Sequence, residues 1–343
     1  MKTILLSTST GWNAGDDWIR EGVLNALQIR DEVNLIFWNR GYGIEDSYAN
    51  SLNVNLPHVD YVIMAGSPEW IAQNETLYRH CLFHEKKMAL LGVGMKGGYI
   101  PSRHEDLMRR VGESGLVEVA IGRDEIASTL LADFGIPSLT LSDPAIFLEP
   151  RAEVGEGTDF VIGYRGWGAI PSGTVDFKRR DGGPSKRTDV LLSDIWSSAE
   201  GPKRVTVHDN REISAAVDLF GKRSIIYESD PWRLLMHYGR TRAYVGSRIH
   251  GFVASLVHGA TAHLIYHTQK AGCAEVIIER LGLEASAFVS YIQNDSKGLL
   301  IPILSPPGAS RLRSAIEREL ALFRGACLKG PELRSFMKGG SEV

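Results

Sequence analysis

The chain predicts an α/β protein: two Rossmann-like domains facing each other across a cleft, followed by a C-terminal helical tail. Three observations carry this. Short apolar runs of strand type alternate with helical stretches over the first part of the chain, the pattern of a parallel sheet covered by helices on both faces. The same alternation restarts near Phe160, after an acidic, glycine-containing connection. A length of 343 residues suits two domains of ordinary size.

Strands are expected at 4–7, 33–38, 61–65, 88–93 and 117–121, with another at 138–141. Helices are expected between them at 16–28, around 70–86, at 103–112 and at 124–134, the last closed by Gly135-Ile136-Pro137. The domain boundary falls in 149–158. Beyond the strand at 160–163, residues 166–187 carry many Gly, Pro, Lys and Arg and no hydrophobic period. A loop of that length in a compact domain is a lid or a binding loop. A helix at 189–198 follows, then strands at 204–207, 224–227, 243–246 and 262–266, and a charged amphipathic helix at 310–324 ending near Gly325. The chain thus divides into 1–150, 151–285 and a tail, 286–343. Two successive α/β domains across a cleft form the GT-B type of arrangement, in which ligands lie beyond the carboxyl ends of the strands.

Composition narrows the function. The chain is 43% hydrophobic and 23% charged with a net charge of −3, a globular balance with no global electrostatic case for nucleic acid. An anion site must be built locally. Cys81, Cys273 and Cys327 form no C-x-x-C pair, which argues for reduced thiols and against a disulfide framework or structural zinc. The opening apolar run is too short for a signal peptide, and no uncharged run is long enough to span a bilayer. These features imply a cytoplasmic chain that does not span the membrane.

The densest chemical signal is 243–259, where Arg248 and His250 stand at a strand-to-helix turn. Phe252, Val253, Leu256 and Val257 recur at helical spacing, and Gly259 is the stop. A helix N-terminus offers unpaired N–H groups and a positive dipole end to an anion. Arg248 adds a planar fork for carboxylate or phosphate, and His250 a proton near neutral pH. The competing reading is a pair of surface side chains or a helix cap. After the first strand, Gly11 and Gly15 permit a tight path, while Asn13 and Asp16 either cap the helix, with Asp16 as N-cap, or reach a ligand hydroxyl. This is not G-x-G-x-x-G, and NAD is not expected.

Gly66 and Ser67 leave a strand toward the cleft, as does 92–98, where four glycines surround Lys96 without P-loop spacing. Arg123-Asp124 and Asp143-Pro144 follow the last strands of the first domain. Asp143 is driven toward an extended conformation by Pro144 and is read as holding a turn. Arg165 ends the first strand of the second domain, as a second anion ligand or an exposed surface arginine. His208 and His267 also follow strands and can meet substrate. No His/Cys/Asp cluster has metal-ligand spacing, and neither metal nor cofactor is expected.

Taken in order, Asn13-x-Gly15-Asp16, Ala65-Gly66-Ser67, Arg123-Asp124, Asp143-Pro144-Ala145, Arg248-Ile249-His250-Gly251 and Tyr266…Lys270 resemble the polysaccharide pyruvyl transferase family over roughly residues 4–280. The usual Arg-Leu-His is Arg-Ile-His here, the glycine-rich turn is reduced to Gly66-Ser67, and a Tyr-Asp-Pro-Lys run is replaced by Tyr-His-Thr-Gln-Lys. The resemblance implies phosphoenolpyruvate as donor, a sugar diol of a glycan or lipid-linked saccharide as acceptor, and a cyclic pyruvate ketal as product. His250 and Asp16 would be the acid and the base. Arg248, Arg165, Asn13, Gly15, Gly66, Ser67 and Lys270 would contact substrate, with the acceptor on 1–150 and the donor on 151–285. The basic stretch from Lys178 to Arg187 would dock an anionic acceptor. Two other readings remain open: a glycosyltransferase with a nucleotide-sugar, its ribose on Glu228 or Asp230, and a non-catalytic sensor or scaffold.

Overall fold

The computed structural model describes residues 1–9, 14–40, 55–66, 71, 74–95, 102–149, 157–165, 184–266, 271–283, 288–290 and 309–337. Two six-stranded parallel sheets organise the chain. The first has the order β2-β1-β3-β4-β5-β6, built from Thr3–Ser9 (β1), Asn34–Arg40 (β2), Tyr61–Ala65 (β3), Met88–Val93 (β4), Val117–Gly122 (β5) and Leu139–Thr140 (β6). The second has the order β12-β11-β10-β7-β8-β9, built from Asp159–Gly163 (β7), Lys203–Val207 (β8), Ile225–Tyr227 (β9), Thr241–Gly246 (β10), Thr261–Tyr266 (β11) and Phe288–Ser290 (β12). In each sheet the chain starts at an interior strand, runs to one edge and returns to run to the other. The order therefore reverses between β1 and β3 and again between β7 and β10, and crevices open beyond the strand ends at such points.

Every residue of β3 and β4 is buried, as strands covered on both faces must be. Along β1, Ile4 and Leu6 join one apolar cluster and Leu5 another, the two-residue period of a strand. One cluster lies on the far face of each sheet, and a third is shared between them, holding Trp18, Leu234, Tyr238 and Phe252 together with strand residues of the first sheet. The helix Ala14–Leu27 (α1) runs through this shared core, and nearly all of it is buried. Its Trp18 Nε1 donates to the Pro231 carbonyl of the second half at 3.0 Å.

The remaining α-helices among the described residues are Glu75–Phe83 (α2), Ser102–Glu113 (α3), Glu125–Asp133 (α4), Pro184–Ser198 (α5), Ile213–Phe220 (α6), Pro231–Tyr238 (α7), Ile249–Val257 (α8), Ala271–Leu281 (α9), Ala309–Cys327 (α10) and Pro331–Arg334 (α11). Helices α6, α7 and α9 and strand β12 are additions to the elements expected from sequence. Helix α5 starts five residues earlier than expected. Pro184 supplies a preset φ at the first helical position, so Lys186 and Arg187 belong to a helix and not to a loop. Lys178, Arg179 and Arg180 lie outside the described residues. Helix α8 ends as the sequence anticipates: Gly259 takes φ +80° and the Ala260 N–H returns to the Ser255 carbonyl at 2.9 Å, the closing pattern of a left-handed C-terminal glycine.

Helix α10 runs past Gly325 to Cys327 because Phe323, Ala326 and Cys327 are buried in the shared core. The tail is tied to both halves. Glu118 on β5 accepts the Glu332 and Leu333 N–H groups at the start of α11, and Glu319 accepts from Arg280 of α9 at 2.7 Å.

Two helical glycines give opposite tests. A Cβ on Gly22 would lie 1.8 Å from the Pro144 carbonyl oxygen, whereas one on Gly325 meets nothing within 4 Å. Gly22→Ala should cost about 1–3 kcal/mol by overpacking a backbone contact. Gly325→Ala should gain about 0.5–1 kcal/mol from helix propensity. Urea denaturation of the two variants checks both, and equal shifts would contradict this packing.

Candidate active site

The candidate site residues sit at the carboxyl ends of the strands, where the two reversals in strand order open crevices. Gly15 and Asp16 follow β1 and Gly66 follows β3, on either side of the first reversal. Arg165 follows β7, and Arg248 and His250 follow β10, on either side of the second. His208 follows β8, and Arg123, Asp124 and Asp143 follow β5 and β6.

Asp143 is where the halves meet. It is fully buried, and Pro144 holds it at φ −55°, ψ 128°, where its side chain accepts the Ala145 N–H at 2.9 Å. The turn-holding role expected from sequence is therefore present, but it is a minor part of what the carboxylate does. Arg123 Nη1 donates to Oδ2 at 2.5 Å, His250 Nε2 stands 3.6 Å from the same oxygen, and Cys273 Sγ donates to it at 3.6 Å. Burial alone would raise the Asp143 carboxyl. The Arg123 and His250 charges and the Ala145 N–H outweigh it and hold the group well below the usual carboxylate range. The same burial and charge raise the Cys273 thiol.

The other side of the His250 ring rests on α1. A Cβ on Gly15 would lie 1.8 Å from Nδ1, so only glycine lets α1 and the start of α8 approach this closely. Helix α1 is already helical at Ala14, which overturns Asp16 as N-cap: Asp16 and Asp17 lie inside the first turn, where acidic groups suit the dipole. Asp124 caps α4 instead, accepting from Ala127 at 2.8 Å and from the Met95 N–H at 2.9 Å.

Arg248 precedes α8, yet its side chain makes no capping bond. It turns to Glu212, pairing Nη2 with Oε1, while Nε reaches the Tyr164 carbonyl at 3.5 Å. Arg165 is half-buried beside this pair. Burial and the like charge of Arg248 pull it down to about 10, with Glu212 and Asp209 opposing, so it stays cationic at neutral pH. This favours the cleft over the exposed surface for Arg165. Below the pair, His208 Nε2 meets the Tyr238 hydroxyl at 2.8 Å, Tyr238 meets Thr206 at 2.8 Å, and Trp18 packs edge-on against His208 with centroids 5.3 Å apart. Burial holds His208 far below the ordinary histidine range, which makes it neutral near pH 7. Among the described residues no three His, Cys, Asp or Glu side chains are grouped to hold a metal ion.

The structure thus gathers Gly15, Arg165, Arg248 and His250 around one region, with Asp16 next to Gly15 in the first turn of α1 and Gly66 at the neighbouring strand end. Gly66 takes φ +72° against Ile19, and its part is backbone path and packing. Asn13, Ser67, Lys96, His267 and Lys270 lie outside the described residues. Asp230 caps α7, accepting the Trp232 N–H at 2.8 Å, and Glu228 faces His237 at 3.6 Å. Sequence reading missed Glu212 and Tyr238 altogether. Arg123 and Asp143 were noticed as motifs without being placed in the site; their position at strand ends was the available signal.

Comparison with known proteins bears on the family and the fold. Residues 13–268 match the model of the polysaccharide pyruvyl transferase family. The chain belongs to that family. Among solved structures, it is similar to the UDP complex of S. aureus MnaA, with 10% identity, 95% of this chain and 91% of that one covered, and a TM-score of 0.55. It is also similar to the UDP-GlcNAc 2-epimerase of Methanocaldococcus jannaschii, with 11% identity, 93% of each chain covered and a TM-score of 0.50. At such identities the likeness shows the GT-B-like α/β fold. A search of curated proteins finds no match. In this polysaccharide pyruvyl transferase family member, the family match takes in α1, Asp143 and the Arg248-Ile249-His250 step.

Asp143→Asn leaves Arg123 with an uncompensated buried charge, which should cost about 3–5 kcal/mol. Because the folded carboxyl lies below its unfolded value, the stabilisation is complete above about pH 5 and fades as the pH falls through the ordinary carboxylate range. The stability gap between wild type and variant should therefore narrow below about pH 4 in urea titrations. A gap that is constant with pH would contradict the charged pair.

Proposed function

We propose that the chain moves the pyruvyl group of phosphoenolpyruvate onto two hydroxyls of a glycan or lipid-linked saccharide, closing a cyclic ketal and releasing phosphate. The observation that carries this reading is His250, set between buried Asp143 and Gly15, two residues after Arg248, where the two halves meet. Residues 1–150 are the acceptor side and 151–285 the donor side; the second sheet runs on to its edge strand β12, at 288–290, so the tail begins after that strand and not at 286. Arg248, Arg165 and the first turn of α8 take the donor's carboxylate and phosphate, and Lys270 adds a further cation. Gly15, Gly66 and Ser67 let backbone approach the acceptor, while Asn13 and Asp16 hold its hydroxyls.

Asp143 orients the His250 ring, and His250 delivers a proton to the methylene carbon. The carboxyl-bearing carbon becomes an oxocarbenium centre, one hydroxyl attacks it, and Asp16 takes that hydroxyl's proton. The carbon–oxygen bond to phosphate breaks, and the second hydroxyl closes the ring. Of the two hydroxyl protons lost, one replaces the proton placed on the methyl carbon and one leaves with phosphate. The atoms balance without a cofactor. Glu228 and Asp230, the ribose ligands of the nucleotide-sugar reading, face His237 and cap α7 respectively, which favours the pyruvyl reading. Three buried, free cysteines agree with a cytoplasmic setting, and among the described residues no helix is long and apolar enough to cross a membrane.

Turnover of phosphoenolpyruvate in D₂O should place one deuterium in the ketal methyl group. His250→Gln should lower kcat by about 10²–10⁴-fold, the worth of general acid catalysis, while donor affinity stays within a few-fold. Lost binding with retained turnover, or a product without methyl deuterium, would sink the assignment. A wild type that binds the donor but never turns over would point to a sensor.

For Arg248→Lys, charge without the fork should raise the donor Kd by the equivalent of about 1.5–3 kcal/mol. Calorimetry with phosphoenolpyruvate checks this, and an unchanged Kd would remove the bidentate role.

A further inference from the structure

Glu212 has a place in this site that the sequence motifs do not mark. It ends the short 3-10 turn Asn210–Glu212 and stands at the N-cap of α6, yet its side chain makes no capping bond there. A glutamate at such a position ordinarily serves its own helix or solvent. This one is 3% exposed on its side chain and reaches an arginine 36 residues on. Its Oε1 takes Arg248 Nη2, and its Oε2 is buried with no hydrogen-bond partner among the described residues. Burial of such an acid is costly, and the arginines beside it, Arg248 and Arg165, are what offset that cost.

The guanidinium is held on one edge only. Nε and Nη2 form the side edge of the arginine fork, and these are the two atoms engaged, by the Tyr164 carbonyl and by Glu212. Among the described residues Nη1 makes no hydrogen bond. The end edge, formed by Nη1 and the second Nη2 hydrogen, keeps two parallel donors, the geometry that matches an oxyanion. We propose that Glu212 is a positioning residue for Arg248: together with the Tyr164 carbonyl it fixes the side edge of the guanidinium and so aims the end edge at an oxyanion of the donor. The proposal rests on the reading of Arg248 as a donor ligand. Glu212 itself touches no substrate.

The test compares Glu212→Ala, Glu212→Gln and Glu212→Asp. Calorimetry with phosphoenolpyruvate and with inorganic phosphate gives affinity, steady-state rates give kcat and KM, and thermal unfolding gives Tm. Glutamine keeps an acceptor at the same reach without the charge. Aspartate keeps the charge but withdraws it by one methylene. If aim is what matters, Ala should raise the Kd of both ions and the donor KM tenfold or more, with a smaller fall in kcat. Gln should restore both to within about threefold of wild type, and Asp should do worse than Gln. Should Ala not fold, the order of Gln and Asp carries the test. Wild-type affinity in Ala or Asp would overturn the proposal, as would equal losses in all three variants in step with Tm. The donor reading fails elsewhere, in a wild type that binds phosphate but gives no turnover with phosphoenolpyruvate, and the Glu212 comparison then stands on phosphate alone. A wild type that binds neither ion overturns both.

Discussion

The buried carboxylate of Asp143 is the constraint around which the two halves are arranged. An ionised group at zero exposure needs charge and hydrogen bonds close by, and here they come from both sides of the molecule: Arg123 and the Ala145 N–H from the first half, His250 and Cys273 from the second. The residues that follow it continue the same junction. Pro144 lies where a Cβ on either Gly22 or Gly92 would stand, and the Phe147 carbonyl accepts from Asn25 while its ring packs on Phe323 of the tail. One segment of the chain thus fixes α1, β4, α8 and α10 relative to one another. Precision at His250 follows from this, since its ring is caught between Asp143 and the backbone of Gly15.

A second regularity links stability to chemistry. Two of the cations at the strand ends are backed by a buried acid, Arg123 by Asp143 and Arg248 by Glu212. Removing a partner from such a pair is costly, although the pair itself adds little net stability. What the pairs do supply is fixed orientation, which a side chain with as many rotamers as arginine lacks on its own. His208, neutral and hydrogen-bonded to Tyr238 beneath Trp18, keeps the floor of the region free of a competing charge.

Much of this was legible in one dimension. Apolar runs on β3 and β4 that lack alternation require strands covered on both faces, and the structure buries every residue of both. Gly259 marked the end of α8 because a left-handed residue there closes the last turn. Arg248 and His250 could be picked out because a strand followed at once by a helix puts the intervening side chains at the sheet's carboxyl edge. The same logic applies to Arg123 and Asp143. Helices α6 and α7 were harder: eight residues give barely two turns of period, though Asp230-Pro231 was a cap signal in plain view.

Local pattern, then, determined the parallel α/β class, the restart near Phe160 and the turns from which the site is made, because each depends on neighbours within a few residues. Tertiary structure alone decided which of those turns face each other. That His250 lies over Gly15, that Asp143 answers both Arg123 and His250, and that Glu212 gives up its own helix cap for Arg248 are contacts between residues far apart in sequence. Nothing in the spacing of one segment encodes the partner in another. The burial of charge made those partners necessary, and the packing of two sheets against α1 selected them.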